Sequence, residues 1–152
     1  NLINYISKLN DNDLEKFFND LKLKTNRFSS YTDIKSFNDA CESLGINPTD
    51  DINLLKQLNI NSKSLIANYK LCIIYKAINM LNNNWTPDYT DSNQKKWYPY
   101  FRVLSSGIDC SYTYYYCAYT AASVGVRLCT ISADVAIYIG KTFTTEYEDF
   151  LL

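Results

Sequence analysis

An α+β fold is what the sequence predicts: a small, aromatic-rich antiparallel sheet of about three strands packed against three or four helices. Apolar residues recur at helical spacing before residue 82 and again after Ser132. The stretch between them, Trp85 to Cys129, reads WTPDYTDSNQKKWYPYFRVLSSGIDCSYTYYYCAYTAASVGVRLC; it concentrates the aromatic side chains and favours strands and turns. Strands this close in sequence pair more simply as antiparallel neighbours than through parallel crossovers.

The first helical signal begins near Asp11 or Asn12, with Leu14, Phe17, Phe18 and Leu21 on one side and Asp11 or Asp13 as cap. Lys22, Lys24 and Arg27 follow as a solvated basic run. A second helix is capped by Thr32, carries Ile34, Phe37, Ala40, Cys41 and Leu44 on its apolar face, and leaves through a left-handed Gly45 before Pro48. Ile52, Leu54, Leu55 and Leu58 mark a short helix, and Ser62 is a further capping candidate. The helix over Lys63 to Leu81 is apolar on more than one stripe, so it is expected to be the central beam, stopped by Asn82-Asn83-Asn84.

Three strands come next. Pro99 lacks an N–H, which predicts that the first, around Trp97 to Val103, is an edge strand or starts after the proline. Ser105-Ser106-Gly107 is a turn. Ser111 to Tyr119 is the second strand, with Tyr112, Tyr114 and Tyr116 on one face and Thr113, Tyr115 and Cys117 on the other. Val124 to Cys129 is the third. Ser132 caps one last helix reaching Tyr147, in which Gly140 implies close packing and the acidic end Glu146, Glu148, Asp149 opposes the dipole.

The chain's 152 residues suit one compact domain over 1–152, with residues 1–30 as a helical arm. The lack of an initiator methionine fits a processed chain or the C-terminal part of a longer protein. NLINYISKLNDND has neither the basic start nor the apolar run of a signal peptide, and polar residues interrupt 65–81, so no membrane span is expected. A net charge of -1 supplies no global field for nucleic acid. Histidine is absent, which removes the usual neutral-pH proton shuttle and the base partner of most Ser and Cys nucleophiles. The five cysteines, Cys41, Cys72, Cys110, Cys117 and Cys129, contain no CxxC pair and read as reduced core thiols; a Cys110–Cys117 bridge is the alternative. No nucleotide fingerprint occurs and no cofactor is expected.

The segments DIKSFNDACESLGI, IANYKLCIIYKAINMLNNNWTPDYTDSNQKKWYPYF and SVGVRLCTISADVAIYIGKTF resemble an uncharacterised domain family encoded by phages and prophages of gut Bacteroidetes, including relatives of the crAss-like phages. The likeness spans most of residues 31–152 and is carried by Trp85, Pro87, Asp88, Asp91, Gln94 and Lys96 in one motif and by Gly125, Arg127, Leu128 and Cys129 in another. The chain departs from the pattern at Asp109-Cys110 and at Ala121-Ala122. The resemblance implies a viral setting, in the virion or the host bacterial cytoplasm, and no catalytic set.

The reading that follows is a non-enzymatic phage virion or assembly protein with an aromatic contact surface made of Trp85, Tyr89, Trp97, Tyr98, Tyr100, Tyr112 and Tyr115, docking onto other phage structural proteins or onto itself. Asp88 and Arg127 are expected to pair as a structural brace. One alternative is a host-modulating nucleic-acid binder using Lys95, Lys96 and Arg102 beside the aromatic rings. Another is a small metal-dependent hydrolase built on Asp88 and Asp91, with Asp109 as a third oxygen ligand; turn-capping is the plainer role for both carboxylates.

Overall fold

The computed structural model describes residues 9–15, 27–58, 62–116 and 127–152. Residues 11–15 are helical, and the cap is Asn10 rather than Asp11 or Asp13: its Oδ1 accepts from the Asp13 N–H at 2.9 Å and its amide donates to the Asp13 carboxylate at 2.7 Å. Phe17, Phe18, Leu21, Lys22 and Lys24 lie outside the described residues. Arg27, expected on a solvated linker, ion-pairs with Asp39 at 3.0 Å and with Glu42, and Phe28 is buried in the core, so the end of the expected arm is fastened to the body.

Thr32 does not cap the next helix. Ser30 and Asp33 form a capping box around a 3-10 turn, Tyr31–Asp33, and the backbone N–H groups of Ser30 and Ser29 hold the Asp33 carboxyl below its usual pKa. Ile34 is wholly buried after that turn, and helix α1 (Phe37–Leu44) starts afresh from Ser36, whose Oγ accepts from the Asp39 N–H at 3.1 Å. Gly45 leaves it at φ 64°, and the Ile46 N–H folds back onto the Cys41 carbonyl at 3.0 Å, the exit expected from Gly45 and Pro48. Helix α2 (Thr49–Gln57) follows.

Helix α3 (Ser62–Leu81) is the central beam: Leu71, Ile74, Ala77 and Ile78 are fully buried, and α1, α2 and the C-terminal helix all pack on it. Asn83 and Asn84 take left-handed conformations just past its end, as short amides tolerate.

Strands β1 (Lys96–Leu104) and β2 (Gly107–Tyr116) pair antiparallel from Lys96↔Tyr116 to Leu104↔Gly107, with a bulge after Tyr100. Pro99 lies inside β1, and β1 is an edge strand of the two-stranded pairing, the first of the two expected outcomes. The reason is directional. Trp97 exchanges both backbone hydrogen bonds with Thr130, at 3.0 and 2.8 Å, so its polar groups face away from β2. Pro99, two residues on, turns its missing N–H to that same outer edge and costs the β1–β2 ladder nothing. It also limits what can pair there: among the described residues the sheet continues past β1 only as the Trp97↔Thr130 bridge, Arg127, Leu128 and Cys129 of the expected third strand are not in strand, and Val124 to Val126, with Ala121 and Ala122, lie outside the described residues.

Ser132 caps α4 (Ala133–Thr142), as expected, through the Val135 N–H at 3.3 Å. One continuous terminal helix was expected; instead the fully buried Phe143 breaks the run, and α5 (Thr144–Leu151) turns against α3. Gly140 is where α4 meets the hairpin. A Cβ there would stand 2.3 Å from Cys110 Sγ and 2.7 Å from Pro99 Cβ, so glycine is required for the approach. Glu148 has a partner that its helix position did not suggest: its carboxylate accepts from the Ile108 N–H at 3.2 Å, fixing the hairpin turn. Asp149 pairs with Lys63 at 2.9 Å. The result is an α+β fold with a small antiparallel sheet lying on α4 and α5.

Candidate contact face and neighbouring groove

Strand alternation sorts the aromatic residues of the hairpin into two sets. Pro99, Phe101, Ile108 and Cys110 face the helices; Phe101 lies 4.4 Å from the Tyr147 ring. The outer face carries Tyr98 opposite Tyr114 and Tyr100 opposite Tyr112. The rings of Tyr100 and Tyr112 stack with centroids 4.6 Å apart and planes 20° from parallel, those of Tyr98 and Tyr114 are tilted at 6.4 Å, and the Arg102 guanidinium lies 5.7 Å above Tyr112. Tyr100 is 44% exposed, Tyr112 38% and Tyr114 59%, and beyond them Val103 and Leu104 are exposed as well. Partial burial raises the Tyr112 phenol above its ordinary pKa, helped by its hydrogen bond to Tyr100 and opposed by Arg102.

The seven aromatic residues expected on one surface thus occupy several places. Tyr98, Tyr100 and Tyr112 share the outer face with Tyr114, which alternation alone would have added. Trp97 points the other way, half-buried, with Lys95 5.9 Å from its ring. Tyr115 pairs by its backbone with Trp97, and its side chain is outside the described residues. Tyr89 is half-buried, with its hydroxyl bonded to the Cys129 thiol, and Trp85 lines a groove.

Lys96 falls on the outer face by alternation yet is fully buried. The loop 85–95 folds over it, and its ammonium donates to the Asp91 and Gln94 carbonyls, both at 3.0 Å. Gln94 ties the same loop together, its Oε1 accepting from the Asp88 N–H at 2.7 Å and its amide donating to the Thr86 carbonyl at 3.1 Å. Asp88 caps its own turn, accepting from the Thr90 N–H and hydroxyl at 2.8 and 2.6 Å, and Asp91 accepts from the Asn93 N–H at 2.8 Å. The Thr90 bonds hold the Asp88 carboxyl below its usual pKa. Three expectations are corrected here. Asp88 and Arg127 form no ion pair among the described residues, because Asp88 is taken up by its own turn. Lys95, Lys96 and Arg102 form no continuous basic strip, because Lys96 is internal. Asp109 sits opposite Arg102, about 20 Å along the strand from Lys96, and no group of three or more metal-ligating side chains that would join it to Asp88 and Asp91 occurs among the described residues.

Cys41, Cys110 and Cys129 are free and buried, as expected of core thiols, which rules out the Cys110–Cys117 bridge; Cys117 itself is outside the described residues, and Cys72 is exposed. Burial pushes the Cys129 thiol up to about 11. No described helix is long and apolar enough to cross a membrane.

Composition and periodicity did not reveal two features. Asn79, which as a sequence letter only interrupts an apolar helix, is buried; it donates to the Cys129 carbonyl at 2.9 Å and accepts from the Thr130 hydroxyl at 2.7 Å, so α3 holds the residue that bridges to β1. Beside it, between α3 and Trp85–Pro87, lies a groove of about 420 Å³ with Cys72, Lys76 and Arg127 at its walls. No protein-family model, curated protein or solved structure matches the chain.

Proposed function

We propose that the chain is a non-enzymatic virion or assembly protein of a phage, acting through a protein–protein contact on the outer face of the β1–β2 hairpin. The observation that carries the reading is the exposed, stacked Tyr100–Tyr112 pair flanked by Tyr98, Tyr114 and Arg102. Ordered tyrosines and an arginine are the residue types that dominate binding at interfaces: each offers a wide contact area, and the cross-strand stack has already limited its rotamer freedom. The inner face holds the rings' backbone in place through Gly140 and Glu148, and the loop locked by Lys96 closes one end. The phage setting rests on the resemblance of the Trp85–Lys96 and Arg127–Cys129 segments; the partner is another structural protein of the particle or a second copy, in the virion or the host bacterial cytoplasm.

The test is recovery of the tagged protein from infected cells, wild type against Tyr100→Ser/Tyr112→Ser. Loss of a stoichiometric protein partner, or of self-association, with the fold retained supports the contact. Unchanged incorporation and oligomeric state would sink it, and so would recovery of single-stranded nucleic acid as the ligand of those rings.

A further inference from the structure

We propose that the groove between α3 and the Trp85–Pro87 segment is a binding site for a small amphipathic anion, an aromatic or acyl group carrying one oxyanion. Its volume, about 420 Å³, is within the range of small-molecule sites. Leu44, Met80, Trp85 and Pro87 give it an apolar body, and its charged lining residues are Lys76 and Arg127, with no carboxylate among them. Both cations are exposed. Neither takes part in an ion pair among the described residues, where carboxylates pair instead with Arg27 and Lys63. An apolar floor under two cations selects for charge complementarity: a neutral ligand leaves the cations unused, and a small inorganic anion leaves the floor wet. The walls are pre-formed. Trp85 is pinned by its N–H to the Asn79 carbonyl at 3.0 Å, and Asn79 is itself clamped to Cys129 and Thr130. Arg127 comes two residues before that clamp, which holds its end of the groove to α3. The site is separate from the tyrosine face and does not depend on its role.

Two dyes with the same rings make the test. The sulfonate 8-anilinonaphthalene-1-sulfonate has the charge, and N-phenyl-1-naphthylamine lacks it. Titrated into the folded protein, with near-UV dichroism checking that the fold is native, the sulfonate is expected to bind once per chain, alter the tryptophan emission, and bind about tenfold more tightly than the neutral dye. Arg127→Met and Lys76→Met are each expected to weaken the sulfonate about tenfold and leave the neutral dye unchanged; the glutamine variants repeat the measurement if a methionine variant misfolds. Tyr100→Ser/Tyr112→Ser should change neither dye. Equal affinity for both dyes, or insensitivity to both cations, would mark an ordinary apolar docking groove and overturn the proposal. Loss of the sulfonate in the tyrosine variant would place the site on the other face and overturn it too.

Discussion

Both faces of the β1–β2 hairpin carry bulky side chains, and they come to opposite ends. On the inner face each bulky group meets a complement: Pro99 and Cys110 close on Gly140, and Phe101 packs against Tyr147. On the outer face Tyr100 stacks on Tyr112 and Tyr98 is tilted against Tyr114, and Tyr100, Tyr112 and Tyr114 stay partly open to solvent. The inner face is therefore sensitive to volume, and the outer face to the chemistry of what docks on it. Aromatic density alone does not separate a core from a contact surface; the strand's alternation, read against what α4 and α5 offer in return, does.

The largest effect expected is on the inner face. Gly140→Ala normally improves a helix, by about 1 kcal/mol. Here the added methyl meets Cys110 Sγ and Pro99 Cβ well inside contact distance, and a net loss of about 3 kcal/mol in urea unfolding is expected. Gly140→Ala/Cys110→Ala removes one of the two clashes and should recover part of that loss. A stabilised Gly140→Ala protein would erase the contrast between the faces at its strongest point.

Next comes Lys96, which marks where the outer face stops being open. Lys96→Ala strands the Asp91 and Gln94 carbonyls and leaves a cavity beneath the loop, a cost of about 2 kcal/mol. Lys95→Ala, its exposed neighbour, should cost below about 0.5 kcal/mol. Proteolysis within 85–95 should speed up in the first variant and not in the second. Equal behaviour of the two would mean that the loop does not define the boundary of the face.

Helix positions were legible in the sequence because α1, α2 and α3 follow local rules: apolar spacing, a left-handed glycine exit, a run of short amides. The hairpin and the shared face of Tyr112 and Tyr114 were legible too, while the direction in which that face looks was not. What failed was non-local. Thr32 has the residue type of a cap, but Ile34 enters the core just after it and the helix starts from Ser36 instead, and the break at Phe143 follows from burying that ring, not from a turn signal. Pro99 signalled an edge, but only the partner at Thr130 reveals which side of β1 its nitrogen faces. Lys96, a buried cation held by backbone carbonyls, and Asn79, a polar letter in an apolar helix, have partners 2 to 51 residues away that no periodicity specifies. The candidate site divided accordingly: the stacked tyrosines obey strand alternation, while Trp85, Tyr89 and Arg127 go where the loop and the Asn79 clamp take them.

The interior also titrates differently from the outer face. Burial raises Cys129 from 9.0 to about 11, and it raises Tyr75 and Tyr147, whose hydroxyls meet at 2.7 Å, well above the ordinary phenol value. The unfolded chain therefore gives up these protons first. Their contribution is complete below pH 9, the unfolded thiol's value, and falls as pH rises through about 11. Unfolding free energy should be level from pH 7 to 8.5 and drop by an amount of order 1 kcal/mol by pH 10.5. Cys129→Ala should flatten the early part of that decline. A protein equally stable at both ends of the range would show that these groups are not held in a dry interior.

The smallest effect on stability belongs to the outer face. Tyr100→Ser/Tyr112→Ser removes one stacked cross-strand pair, a contribution of about 0.2 to 1 kcal/mol, so the midpoint of urea unfolding should move little. The pair is nevertheless expected to carry much of the contact. Replacing both with phenylalanine separates two ways in which it could act. If ring area drives docking, Tyr100→Phe/Tyr112→Phe keeps the partner in a pull-down; if the phenol hydroxyls do, it loses the partner almost as fully as serine does. Aromatic stacks that supply contact area tolerate the loss of a hydroxyl, so retention is the expected result. A large drop in stability from either pair would put these rings in the same category as Phe101 and Tyr147, and the division between the two faces of the hairpin would no longer hold.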